Sequence, residues 1–70
     1  MRVRDLKVDC RYTNEKGSTR EILRIELYCN EPFIYYCVTG YISSEIHKCM
    51  PITFARWARR RVRPWEDEDM

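Results

Sequence analysis

Alternation of apolar and polar residues dominates the first half of the chain. Over residues 5–12, DLKVDCRY, Leu6, Val8, Cys10 and Tyr12 fall on one face, and Asp5, Lys7, Asp9 and Arg11 on the other. A period of two with one apolar face predicts a half-buried strand. The next stretch, TNEKGS, holds Asn14 and Gly17 and predicts a hairpin turn. Residues 19–29, TREILRIELYC, resume the alternation, with Leu23, Ile25, Leu27 and Cys29 opposite Arg24 and Glu26. An antiparallel hairpin follows from these two runs. Asn30, Glu31 and Pro32 then interrupt the pattern, because proline cannot donate to a central ladder.

Residues 33–42, FIYYCVTGYI, are β-rich and apolar on both faces. Such a strand is buried on both sides or offers one face to a partner. Gly40 marks a bulge or a turn. Residues 44–50, SEIHKCM, predict a fourth strand whose blurred alternation leaves its register open.

From Pro51 the period changes. Phe54, Trp57, Ala58 and Val62 recur at helical spacing and give a narrow apolar stripe. Thr53 reads as the N-cap, with Ile52 and Trp57 placed to form a hydrophobic staple. Arg59, Arg60 and Arg61 then fall in the last turn, where cations suit the helix dipole, and Pro64 ends the helix. The expected fold is mainly β, bordering on α+β. It is a small antiparallel sheet of four or five strands, closed as an SH3-like barrel or left bent, with one C-terminal helix over residues 53–63. Residues 1–63 form one domain in this reading, and residues 64–70 an acidic disordered tail.

Length sharpens the picture. Seventy residues make one domain at most, and so small a core supplies only about 3–5 kcal/mol of net stability. Self-association would relieve that shortage. No run approaches a membrane span or a signal peptide, so a cytoplasmic chain with reduced thiols is expected. The four cysteines, Cys10, Cys29, Cys37 and Cys49, include no close pair of the kind a structural zinc site uses. Cys10 and Cys29 stand in phase with Leu and Val and read as small buried hydrophobes. No metal or other cofactor is expected. Catalysis is not expected either: there is a single histidine, His47, with no glycine-rich phosphate loop and no G-x-S-x-G elbow.

Charge is segregated. Residues 54–65 hold five arginines and no acid, residues 66–70 hold four acids, and the formal net charge is only +2. Arg56, Arg59, Arg60, Arg61 and Arg63, flanked by Trp57 and Trp65, could grip phosphates while a ring stacks on a base. A sequence pI near 8.4 argues against a committed nucleic-acid binder, as does the adjacent EDED tail. The surplus aromatics Phe33, Tyr35, Tyr36 and Tyr41 point instead to a protein partner or to a homodimer.

Two stretches, VDCRYTNEKGSTREILRIEL and ITFARWARRRV, resemble small phage- and prophage-encoded β-rich proteins. In these a hairpin with an "RY…G…RE" turn leads to a sheet and a closing FARWA-type helix. The likeness spans roughly residues 3–62. It implies a small accessory protein of the host bacterial cytoplasm, and carries no catalytic motif. The cysteines and the acidic tail lie outside it. The expected function is therefore non-enzymatic binding, and possible inhibition, of a host protein, with DNA or RNA binding as the alternative.

Overall fold

The computed structural model describes residues 1–39 and 45–63. Five antiparallel strands form one open sheet in the order β4-β3-β2-β1-β5, and one helix lies across it. The strands are β1 (Arg11–Thr13), β2 (Thr19–Tyr28), β3 (Glu31–Val38), β4 (His47–Cys49) and β5 (Arg60–Arg61). The helix, α1 (Pro51–Trp57), leaves the β4 edge and returns the chain to the β1 edge, where β5 pairs. Of the two expected architectures, the bent sheet with a helix packed on one face is the one that forms. Among the described residues β4 and β5 remain its two separate edges.

The first predicted strand is mostly absent. Residues 3–5 form a 3-10 turn, and only Arg11–Thr13 pair with β2. Two features defeat the alternation. Asp9 adopts a left-handed φ of 66°, with its N–H donating to the Ile22 carbonyl at 2.8 Å. The Tyr12 hydroxyl, meanwhile, bridges the backbone upstream: it donates to the Asp5 carbonyl and accepts from the Lys7 N–H, both at 2.8 Å. Val8 is left exposed and Leu6 buried.

The β1–β2 turn forms where the sequence predicts it. Thr13 Oγ1 donates to the Ser18 carbonyl and accepts from the Glu15 N–H, while Asn14 Oδ1 accepts from the Lys16 N–H. Gly17 supplies a φ of 93°, a value costly for any other residue.

β2 and β3 are the long pair. Ile22 stands opposite Tyr36, but Arg24 stands opposite Tyr35, so Leu23 is an extra residue in β2. This bulge inverts the parity of everything distal to it. Ile22 lies on the helix side, and so do Ile25 and Leu27, rather than the Leu23-Ile25-Leu27-Cys29 set that strict alternation predicts.

The two strands are joined through Cys29 and Asn30, both with positive φ, at 53° and 65°. Such a two-residue loop matches the twist of the strands but strains a non-glycine residue by about 1–2 kcal/mol. Cys29 is thus an exposed turn residue, contrary to its expected burial. Replacing Cys29 and Asn30 by Asn-Gly is expected to relieve about 1 kcal/mol of that strain and raise Tm by roughly 4–8 °C. A thermal melt followed by circular dichroism checks this.

The core lies between the sheet and α1. Leu6, Tyr12, Ile22, Ile34, Phe54, Ala55 and Ala58 are buried, with Cys10, Tyr36, Cys49 and Trp57 packed at its margin. Phe54 is its centre: its ring meets those of Tyr12, Tyr36 and Trp57 edge-on at centroid distances of 5.5–5.7 Å.

α1 starts two residues before the expected helix and ends six before it. Pro51 takes the first helical position, which tolerates its missing N–H, and Met50 is the N-cap. Thr53 is inside the helix and caps nothing. The helix stops at Ala58, whose ψ of 132° is extended, and the following donors go to β1: Arg59 N–H to the Thr13 carbonyl and Val62 N–H to the Arg11 carbonyl, each at 2.8 Å. The open edge of β1 therefore takes the arginine run away from the helix.

Candidate partner-binding surfaces

Strand alternation divides the expected aromatic surface between two faces. Tyr36 shares the helix side with Ile22 and His47, while Phe33 and Tyr35 share the outer side with Glu26, Arg24 and Lys48. Tyr41 lies outside the described residues. On the outer side Arg24 stacks on Tyr35 at 4.3 Å and Lys48 sits over Phe33 at 5.0 Å. Arg24 Nε also donates to Glu26 Oε1 at 2.7 Å. These long cationic stems half-cover the rings, so Phe33 and Tyr35 form a polar-dressed surface rather than a bare apolar one.

The exposed apolar surface is elsewhere. β1 leaves β2 at about residue 22, and β4 pairs only with Ile34, Tyr35 and Tyr36 of β3. Beyond those points β2 and β3 continue, among the described residues, as a two-stranded arm. Ile25, Leu27 and Tyr28 on this arm are 41%, 75% and 69% exposed. The sequence already shows the alternation of Ile25 and Leu27, but reads it as a buried face.

Among the described residues no third strand joins the arm, so each of its strands also presents an uncovered backbone edge. Tyr28 and Glu31 flank the two-residue loop and bond to each other across it. Counting back by alternation, the N–H and C=O groups of Leu27 and Ile25 point away from β3. Pro32, opposite Leu27, has its missing N–H on the far side, where no strand needs it.

The predicted arginine helix is corrected to a mixed segment. Arg56 lies in α1, Arg59 in the connection, Arg60 and Arg61 in β5, and Arg63 just past it, all exposed. Alternation in β5 splits them: by register Arg61 lies on the helix side with Tyr12, and Arg60 on the outer side with Thr13. Arg60 Nε donates to Glu15 Oε1 at 2.7 Å, tying β5 to the β1–β2 turn. Trp65 and the acidic tail lie outside the described residues.

A cluster that the sequence does not announce surrounds Arg20. Its guanidinium carbon lies 4.0 Å from the centre of the Trp57 ring and 4.7 Å from that of Tyr36. Tyr36 in turn stacks on His47 at 5.4 Å. The Arg20 Nε is shielded from solvent and has no hydrogen-bond partner. Nearby Cys49 has its thiol pKa pushed up by burial, an effect the Arg20 charge partly opposes. That makes Cys49 a thiol and a poor nucleophile at neutral pH.

All four cysteines are free, and among the described residues no group of three or more His, Cys, Asp or Glu is placed to hold a metal ion. No helix among them is long and apolar enough to cross a membrane. Comparison of the chain with protein-family models, with curated proteins and with solved structures finds no match.

Proposed function

We propose that this protein is a non-enzymatic binding module whose β2–β3 arm docks on a partner protein, in keeping with the accessory role implied by its resemblance to phage-type proteins. The observation that carries this reading is the exposure of Ile25, Leu27 and Tyr28 on a ribbon that projects past its neighbouring strands. Ile25 and Leu27 on one face, with Tyr28 on the other, stand beside open backbone edges, which suits strand addition, in which main-chain bonds give affinity and alternate side chains give specificity. Inhibition of a host protein would follow if the arm fills a site the host needs. A second copy of the chain is the other occupant the same surface suits.

Leu27→Asp is expected to abolish partner retention in a pull-down and any dimer seen by sedimentation, because a charge on the open edge blocks docking. Since Leu27 is the most exposed apolar residue of the arm, thermal stability should not fall. Retention of the same partner by Leu27→Asp sinks the arm reading.

Nucleic-acid binding remains the second reading, supported by the exposure of Arg56, Arg59, Arg60, Arg61 and Arg63. It is distinguished by the triple replacement of Arg59, Arg60 and Arg61 with Ala. That variant should lose nuclease-sensitive capture and leave capture through the arm intact.

A further inference from the structure

We propose that Arg20 is the centre of an oxyanion site, built from its guanidinium, the rings of Tyr36 and Trp57, and Arg61, that takes a phosphate group. Arg20 is incompletely paired. A surface arginine ordinarily lays its stem on apolar groups and carries its head into water. Arg20 instead has its head held against two rings, with Nε shielded and unbonded. Among the described residues it has no carboxylate partner; the acids on the same sheet that form ion pairs, Glu21 and Glu26, are engaged by Arg11 and Arg24 on the outer face.

Arg20 is also preorganised. Contact with the Trp57 and Tyr36 rings restricts the guanidinium, and its terminal Nη groups, which unlike Nε are not shielded, can grip an oxyanion through two parallel bonds. A second cation stands on the same face. Tyr12 of β1 pairs with Arg20 on one side and with Arg61 of β5 on the other, so both arginines lie on the helix side of the sheet, two strands apart. That separation is about 10 Å at the backbone, within reach of two long side chains converging on one group. Arg61 is exposed and, like Arg20, has no carboxylate partner among the described residues. Two cations without a carboxylate partner among the described residues favour a doubly charged phosphate over a singly charged carboxylate. The site is on the body of the domain and stands or falls independently of the arm.

The test is a titration of the 15N-labelled full chain with sodium phosphate, in parallel with sodium acetate and with sodium chloride at matched ionic strength. The signals followed are the Arg20 Nε–Hε and Trp57 indole N–H resonances. Phosphate is expected to shift both saturably, with half-saturation at about 1 mM, the affinity of one bidentate charge-assisted pair. Arg61→Ala should weaken the response several-fold without changing the fold, and Arg20→Lys, which keeps the charge but lacks the planar guanidinium fork, about tenfold. A shift identical in chloride, or one that saturates with acetate and not phosphate, overturns the assignment. So does full phosphate affinity in Arg61→Ala together with Arg20→Lys. Should Arg20→Lys fail to fold, the wild-type and Arg61→Ala titrations decide alone.

Discussion

Phe54→Ala is expected to leave the protein largely unfolded at 25 °C. Phe54 is fully buried and touches three other rings, which between them come from β1, β3 and α1 itself. Removing a buried phenyl ring costs about 3–5 kcal/mol, transfer and cavity together. A domain this small has a net stability of about 3–5 kcal/mol, so the loss is comparable to the whole. No neighbour is placed to fill the void cheaply, because Tyr12, Ile22 and Ile34 are already held in register by the sheet. Phe54→Leu keeps most of the volume and forfeits the edge-on ring contacts, so a loss of about 1–3 kcal/mol is expected. Urea denaturation followed by tryptophan fluorescence separates the two. A Phe54→Ala variant with a wild-type midpoint would show that the helix is not what closes the core.

Tyr12→Phe should cost about 1–3 kcal/mol, although it deletes one oxygen from a ring that stays buried. That oxygen is donor to the Asp5 carbonyl and acceptor from the Lys7 N–H, so its loss leaves two backbone groups unmatched in a partly buried place. The lesion is therefore larger than the usual worth of one hydrogen bond. It should also release the amino-terminal segment that β1 alone cannot hold.

The same hydroxyl predicts a pH effect. Burial raises the Tyr12 pKa above its ordinary value of 10.0. The folded state therefore prefers the protonated phenol. Its contribution to stability is complete below the unfolded pKa and is lost as pH rises through the folded one. Wild-type protein should lose stability more steeply than Tyr12→Phe above about pH 10. Parallel slopes for the two proteins in urea midpoints from pH 9 to 11 would refute the linkage.

Much of the architecture is legible in the sequence because it depends on local pattern. The turn at Asn14 and Gly17, the long second and third strands and the switch to helical spacing after Pro51 all come from residues acting on their neighbours. What escapes is decided at a distance. Nothing in residues 5–12 reveals that the Tyr12 hydroxyl will bond two backbone groups upstream and spoil a strand. Nothing in the arginine run, a good helix former, reveals that an unpaired β1 edge will capture Arg60 and Arg61. The candidate sites divide along the same line. Phe33, Tyr35 and Tyr36 stand out by composition, yet pairing separates them onto opposite faces. Arg20 looks like any strand arginine until Tyr36 and Trp57, sixteen and thirty-seven residues on, close around it.

The extra residue at Leu23 has a consequence for how such a surface changes over generations. Removing it would leave Ile22 opposite Tyr36 and Arg24 opposite Tyr35 in unbroken alternation, with Ile25 and Leu27 still on the helix side and Arg24 and Glu26 still on the other. The body, held by β1 and α1 below the bulge, would not need to change. The codon for Leu23 can therefore be lost without exchanging the greasy and charged sides of the arm: the bulge is a point where the strand tolerates a change of length while its recognition face stays where it is.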